Sequence, residues 1–447
     1  GPAMAGKGWR MLIECLGAGR GVSLPALSTA SGAMCYLMVG AYARIRRQFN
    51  MEVGKFEGVQ EATAEIASGA YTLEALRELI TRSLEDGTPS VMTAMAKYHA
   101  TELMRTLVNH GMDVVGGRGI QLGPRNFLAA GYHALPVAIT VEGANILTRS
   151  LMIFGQGAMR CHPYLFDEMQ TLEAEEHEGL RAFEPLLMSH LGHAGSNFAR
   201  LLMLGLSGAH FSGVPSGADD FSKRWYQRIN HLSAALAICA DVALGVLGGD
   251  LKRRELLSAR LGDLHSQLLI ASSLLKFHAT QPRSKEADAH AAYALQRSLH
   301  LAQEALIAYC ANFQPRALGL ALRALCLPLG RIYPAPNDAM VRDLGDLIMA
   351  PNPVRGTLSE RVYLSIDPED AVGRVESTYQ MLLAVEKPFV ALQKAWSKGE
   401  LEADTLDEAL QEAVAKQVIR AEDVEPLREY DARRRDCVLT DHFEALL

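Results

Sequence analysis

VMTAMAKYHATELMRTLVNHGM, residues 91–112, leads through Asp113 into VVGGRGIQLG, residues 114–123, and the reading of that junction decides the fold. The glycine-rich turn, with Gly117, Gly119 and Gly123 followed later by the acid Glu142, invites comparison with a dinucleotide-binding fingerprint. Such a fingerprint needs a strand before the turn and a helix after it, because its glycines carry the chain from sheet to helix around a pyrophosphate. Residues 91–112 instead place apolar side chains at three- and four-residue spacing, the period of a helix, and the glycines are spaced GxGxxxG, one residue too long. The stretch reads as a helix that ends at the double glycine Gly116–Gly117, whose bare backbone a ligand can approach closely.

The helical period continues along the 447 residues, and Val/Ile/Thr-rich alternation is nearly absent, so the fold class predicted is all-α. Helices are expected over 8–20, 26–46, 58–85, 89–114, 124–134, 142–158, 165–205, 219–249, 251–279, 284–313, 367–398 and 404–418. Breaks are marked by Gly116–Gly117, Pro124, Pro136, Pro163, Pro282, Pro315 and the loop APNPVRG at 350–356. A change of domain is expected near FGQGAMRCHPYLFDEM, residues 154–169. It divides a segment rich in glycine turns, 1–160, from long amphipathic helices of bundle type, 161–447. The uncharged span 21–43 is long enough to cross a bilayer, but its Ser, Thr, Gly and Ala content and Pro25 suit a helix buried among other helices.

With 49% hydrophobic and 21% charged residues and a net charge of −7, the chain has neither the charge of a nucleic-acid binder nor that of a basic membrane-surface protein. Seven cysteines lie singly, without a CxxC pair, as expected of a reducing cytoplasmic compartment. The opening GPAMAGKGW has no initiator methionine and no basic leader, and is expected to be a piece of a longer protein. No metal site is expected. HExxH is absent, and Ala174 stands where His177 would need a glutamate for a di-iron helix pair. EAEEHE, residues 173–178, reads as a solvated face, and Glu286 with His290 as a surface contact.

Two stretches carry candidate chemistry. TVEGANIL, residues 140–147, sets Glu142 where an apolar loop enters a helix, and a carboxylate there is costly unless something compensates it. ARIRRQFN, residues 43–50, clusters Arg44, Arg46 and Arg47 at the end of an apolar helix, where cations complement the helix dipole. Gln48 and Phe49 add an amide and a stacking surface, a combination suited to a phosphate-bearing aromatic cofactor.

Taken in order, GKGWRMLIECLGAGRG (6–21), ARIRRQFN (43–50), MDVVGGRGI (112–120) and TVEGANILTRS (140–150) resemble the C-terminal helical domain of flavin-dependent acyl-CoA dehydrogenases. The chain is most similar to the long bacterial type of fatty-acid β-oxidation, in which a second helical domain follows the stretch corresponding to RCHPYLFDEM. The resemblance implies FAD as cofactor and Glu142 as the catalytic base, at the place of a YEGT-like motif. It puts Arg46 and Phe49, with Gln48 between them, on the flavin of a neighbouring subunit, and Gly116 and Gly117 on the double glycine of a QxxGG motif. Arg20 falls on an arginine near the substrate pocket. This chain departs from the pattern at Val141, an aromatic in the family, at Ala144, a threonine that contacts flavin, and at Asp113, a glutamine.

What the resemblance implies about function follows. A thioester α-proton is weakly acidic, and a base for it works best in an apolar, desolvated setting, which TVEGANIL is expected to offer. The expected reaction takes a medium- or long-chain acyl-CoA to a trans-2-enoyl-CoA, with electrons passing to an electron-transfer flavoprotein and the enzyme a homodimer or higher oligomer. The alternative is a helical scaffold or membrane-associated interaction module that kept the fold. LGLALRALCLPLGRIYPAP, residues 318–336, is apolar apart from Arg323 and Arg331 and is too interrupted by prolines to span a bilayer. It is expected to pack internally or, on the sharper reading, to touch the inner membrane face.

Overall fold

The computed structural model describes residues 2–87, 89–157, 161–171 and 176–441. Among these, helices α1 (Gly8–Gly19), α2 (Ser23–Met34), α3 (Gly40–Ile45), α4 (Glu57–Ser83), α5 (Ser90–Val115), α6 (Gly117–Ile120), α7 (Ala129–Thr140) and α8 (Asn145–Leu147) make the first part of the chain. They are followed by α9 (Leu165–Thr171), α10 (Glu176–Leu206), α11 (Asp220–Leu247), α12 (Glu255–Thr280), α13 (Lys285–Asn312) and α14 (Arg316–Cys326). The last are α15 (Asp338–Met349), α16 (Pro353–Ser359), α17 (Ala371–Ser397), α18 (Leu406–Ala415) and α19 (Val424–Val438). Two π-helical stretches, Cys35–Val39 and Thr148–Gln156, join α2 to α3 and continue α8. A hairpin of β1 (Arg47–Gln48) and β2 (Met51–Glu52) pairs Arg47 with Glu52 and Gln48 with Met51.

The all-α expectation holds, and the helix ends follow from local chemistry. Asp219 and Ser222 form a reciprocal capping box at the start of α11, as Thr405 and Glu408 do at α18. Ser284, Asn352 and Asp370 accept first-turn amides of α13, α16 and α17. Pro136, expected as a break, lies inside α7 instead. A proline there removes one backbone donor, which biases against a helix without forbidding one. Helices α14, α15, α16 and α19 were not anticipated. The first three are 7 to 12 residues long, too short for periodicity to stand out.

Contacts divide the chain into two compact units, each built from separated segments: residues 1–29, 71–103 and 136–337 in one, 30–70, 104–135 and 338–447 in the other. Residues on both sides of the 160/161 division therefore contribute to the first unit. Its core is α12, packed along α13 and against the 148–156 stretch, where Arg149 grips Asp263. Val91, Ala94, Met95 and Ile153 form an apolar cluster beside it. In the second unit α17 packs on α3, α18 and α19 around Tyr379, Phe389 and Tyr430. The uncharged run 35–43 lies buried in that core. By length and hydropathy alone two helical runs among the described residues suffice to cross a bilayer, Glu14–Ile45 and Asp220–Lys252, the second unremarked in the sequence.

Candidate functional site

The first group of candidate residues surrounds the turn between α7 and α8. Glu142 has φ +56° and Gly143 φ +100°, so the chain passes through the left-handed region twice in succession. For a residue with a side chain this costs about 1–2 kcal/mol. The half-buried Glu142 carboxylate accepts the Ser23 hydroxyl, 3.1 Å from one oxygen and 3.2 Å from the other. Beneath the turn lies Lys97 of α5, fully buried, whose Nζ donates to the Gly143 carbonyl at 2.8 Å and to Asn145 Oδ1 at 2.6 Å. Asn145 in turn donates to Thr101 Oγ1 at 2.9 Å and Glu102 Oε1 at 2.7 Å. Burial pushes the Lys97 ammonium down to about 8 from its ordinary 10.5, with Arg20 acting the same way and Glu142 and Glu102 opposing. The apolar setting expected for Glu142 is thus partly polar, because α2 brings the Ser23 hydroxyl to the carboxylate and α5 puts the Lys97 ammonium beneath the turn.

Arg20 is 8% exposed, and its guanidinium donates to the Ser90 carbonyl at 2.9 Å and to Thr93 Oγ1 at 3.3 Å. These bonds join the end of α1 to the start of α5. Ala144 is exposed, as is Val141.

The second group belongs to the other unit. Helix α3 stops at Ile45 and Arg46 turns extended, so the expected helical arginine cluster becomes the start of a hairpin. Phe49 and Asn50, at φ +50° and +60°, form its two-residue turn, and positive φ at both central positions is the type I′ geometry that matches strand twist. Phe49 is 91% exposed at the tip, with the edge of Phe56 near its ring, 6.3 Å between centroids. Arg46 Nη1 donates to the Tyr42 hydroxyl at 2.6 Å. Arg44 is taken up by Glu386 and Glu52, and Arg47 by Glu52 and the Asn50 carbonyl. Gln48 is exposed.

At the end of α5, Asp113 is exposed, Gly116 takes φ +69°, and a Cβ at either Gly116 or Gly117 would meet open space. Gly116 is glycine for its backbone; Gly117 has no such need within the chain. Arg118 is 5% exposed, stacks its guanidinium over Tyr42 and Phe127, and leaves Nη1 without a hydrogen-bond partner among the described residues.

Sequence reasoning missed Ser23, Lys97, Asn145 and Arg118. The signal for Lys97 was present, since it stands seven residues before the buried Met104 and so on the inward face of α5.

Three donors elsewhere in the first unit, His162, His190 and Asp241, lie within 4.8 Å of one another. His162 Nδ1 accepts the amides of Tyr164 and Leu165, so its proton sits on Nε2 and is donated to Asp241 at 3.0 Å. That tautomer caps α9 and offers a metal no lone pair. EAEEHE lies outside the residues whose side chains are described. Glu286 and His290 are not the surface contact expected: His290 is fully buried, and its Nδ1 lies 2.7 Å from the Glu286 carbonyl. The cysteines, single in sequence, include Cys239 and Cys326 with sulfurs 3.9 Å apart in the core, and all seven are free thiols.

Residues 159–443 match the family described as acyl-CoA dehydrogenase, C-terminal, bacterial type, and residues 6–153 match the acyl-CoA dehydrogenase C-terminal domain. The chain belongs to the acyl-CoA dehydrogenase family. Among curated acyl-CoA dehydrogenases it is 34% identical over 116 residues to the mitochondrial short/branched chain specific enzyme of Bos taurus, covering 26% of each chain. It is 28% identical over 143 residues to the probable acyl-CoA dehydrogenase FadE10 of Mycobacterium tuberculosis, covering 32% of this chain and 22% of that one. The chain spans about a quarter of the length of these relatives. Its fold is similar to that of a Bacillus anthracis acyl-CoA dehydrogenase solved in complex with FAD, with a TM-score of 0.60 at 16% identity, over 77% of this chain and 57% of that one.

Proposed function

We propose that the chain is the C-terminal helical part of a flavin-dependent enzyme that oxidises medium- or long-chain fatty acyl-CoA to trans-2-enoyl-CoA, the first step of fatty-acid β-oxidation. The observation that carries this reading is the half-buried carboxylate of Glu142 on its left-handed turn. The Ser23 hydroxyl has one proton and engages one carboxylate oxygen at a time, leaving the other to take the thioester α-proton. Arg20, at the junction of α1 and α5, is assigned to the border of the thioester site.

The residues of the second group fit FAD. Phe49 presents an uncovered ring, Arg46 and the partnerless Arg118 Nη1 supply positive charge, and Gly116–Gly117 leaves room for a close approach. Gln48 adds an amide, Asp113 suits adenine or ribose better than phosphate, and Ala144 leaves out a hydroxyl contact. When bound, the flavin supplies the hydride acceptor. Because the family resemblance takes Arg46 and Phe49 from a neighbouring subunit, a homodimer or higher oligomer is part of the proposal, as is an electron-transfer flavoprotein as acceptor. The deciding experiment is acyl-CoA oxidation by Glu142→Gln in the full-length protein, with flavin occupancy measured alongside. Turnover should vanish while flavin stays bound.

Val141, Ala144 and Asp113 favour the second reading, a helical scaffold without turnover. A full-length protein that purifies without a flavin absorbance spectrum would favour it. The proposed location is the cytoplasm, with a peripheral contact at the inner membrane face. In the 318–336 segment, Leu320 and Leu329 are more than half exposed, whereas Leu327 is core and Arg331 is paired with Glu304. A folded Leu320→Asp/Leu329→Asp variant that still sediments with liposomes like the parent would remove this membrane contact from the proposal.

A further inference from the structure

We infer that Lys97 is a positioning residue for the proposed base: it ties the 143–145 loop to α5 and thereby holds the Glu142 carboxylate in place. The inference rests on the dehydrogenation reading above and adds to it a residue with no assigned role.

The argument begins with the turn. A glutamate at φ +56° followed by a glycine at φ +100° persists only when its surroundings hold it there. Lys97 holds it from one side, through the Gly143 carbonyl directly after the base, and from the other through Asn145, two residues further on. Asn145 is itself anchored to Thr101 and Glu102, so both attachments return to the same helix one turn apart. Thr148 Oγ1 also reaches the Gly143 carbonyl, at 3.3 Å.

Equally telling is what Lys97 does not bond. Its ammonium donates to the loop carbonyl and the amide oxygen, and the carboxylate of Glu142 receives its hydrogen bond from Ser23 instead. A direct ion pair would occupy the oxygens that must receive the substrate proton. The lysine fixes the position of the carboxylate and leaves its oxygens accessible.

The charged groups facing Lys97 are Glu142 on the loop, Glu102 on α5 itself and Arg20 at the end of α1. With the ammonium pushed down to about 8, chiefly by burial, the tether turns from charge-assisted to neutral as pH rises through that value, keeping two N–H donors but weaker bonds to Gly143 and Asn145. Turnover should therefore carry an alkaline limb near pH 8.

The test is a pH–rate profile on the flavin-loaded holoenzyme for the parent, Lys97→Met, Lys97→Gln and Glu142→Gln. Lys97→Met should lower kcat roughly 10- to 100-fold, the scale of an ångström-sized misplacement of a reacting group. KM for acyl-CoA and flavin occupancy should change less than about threefold, because neither ligand is held by Lys97. The alkaline limb should be gone. Lys97→Gln keeps a donor for the Gly143 carbonyl, so it should fold even if the methionine variant does not, recover part of kcat and also lack the limb. If Lys97→Met or Lys97→Gln folds with parental kcat and an intact alkaline limb while Glu142→Gln is inactive, the positioning role is wrong and the base assignment stands. If Glu142→Gln turns over like the parent, the base assignment itself falls, and the inference falls with it.

Discussion

The turn that carries Glu142 and the turn that carries Phe49 both place non-glycine residues in the left-handed region, yet they are held in opposite ways. Around Glu142 a buried lysine, an asparagine and a serine hydroxyl supply hydrogen bonds from the surrounding helices. At Phe49 the hairpin supplies its own geometry, through two paired residues on each side and the Arg47 bond to the Asn50 carbonyl, and the ring stands in solvent. Under the dehydrogenation proposal the Glu142 carboxylate moves a proton, and a group that does so must be placed before its substrate arrives, so the chain would determine its position fully. A group that stacks on a flat ligand needs an open face, and the ligand completes its surroundings. Among the described residues Phe49 is the most exposed of the large apolar side chains, ahead of Ile146 at 85% and Tyr363 at 81%, and under the flavin proposal its open face is the surface the ligand would cover.

The sharpest way to break this comparison is Glu142→Gln, which should cut acyl-CoA oxidation roughly a thousandfold or more, since it removes a general base without a nearby substitute. Steady-state turnover and the flavin-to-protein absorbance ratio check it together; activity within a few-fold of the parent would mean that the held turn serves stability alone. Next in size, Arg46→Ala should weaken flavin retention by about 10- to 100-fold, the loss expected of a charge-assisted hydrogen bond. Turnover of the enzyme that still holds flavin should fall much less. Full flavin occupancy after dialysis would leave Arg46 as a partner of Tyr42 and no more.

A third outcome concerns pH and stability. His231 and His290, both fully buried, have imidazoles pushed down to about 4 from 6.5, chiefly by burial. The unfolded chain then takes up protons below pH 6.5 that the folded chain refuses, so stability present above pH 6.5 is lost as pH falls toward 4. The loss is on the order of 2 kcal/mol per histidine at pH 5. Thermal midpoints at pH 7 and pH 5 test this, and His290→Gln should flatten part of the difference. The smallest effect belongs to Phe49→Ala. Stability should stay within about 0.5 kcal/mol, as for exposed positions, while flavin affinity drops by roughly 3- to 10-fold for a lost aromatic face. A marked loss of stability would show that the hairpin tip is packed after all.

How much of this was legible in the sequence differs between the two turns. VEGA and ARIRRQFN each announced a polar group in an apolar setting, which is unusual enough in one dimension to be noticed. The hairpin was not, because two-residue strands are too short for an alternating pattern, and Phe-Asn lacks the glycine that marks most such turns. Pro136 was read as a break and turned out to sit within a helix, and Glu286 with His290 was read as surface although the histidine faces the core.

By itself the sequence determined the helical class, because three- and four-residue apolar spacing recurs over most of the chain and depends only on local periodicity. It also determined which residue types stand at the candidate sites, since motif spacing is a property of one dimension. Only the tertiary structure decided which lysine lies under Gly143, that Ser23 and not an apolar wall meets Glu142, and that Phe49 stands free. Lys97 and Asn145 are 48 residues apart, as are no two groups that periodicity relates. Contacts at that range exist only once separate helices have packed, and packing is settled by the summed burial of many side chains rather than by any local stretch of sequence.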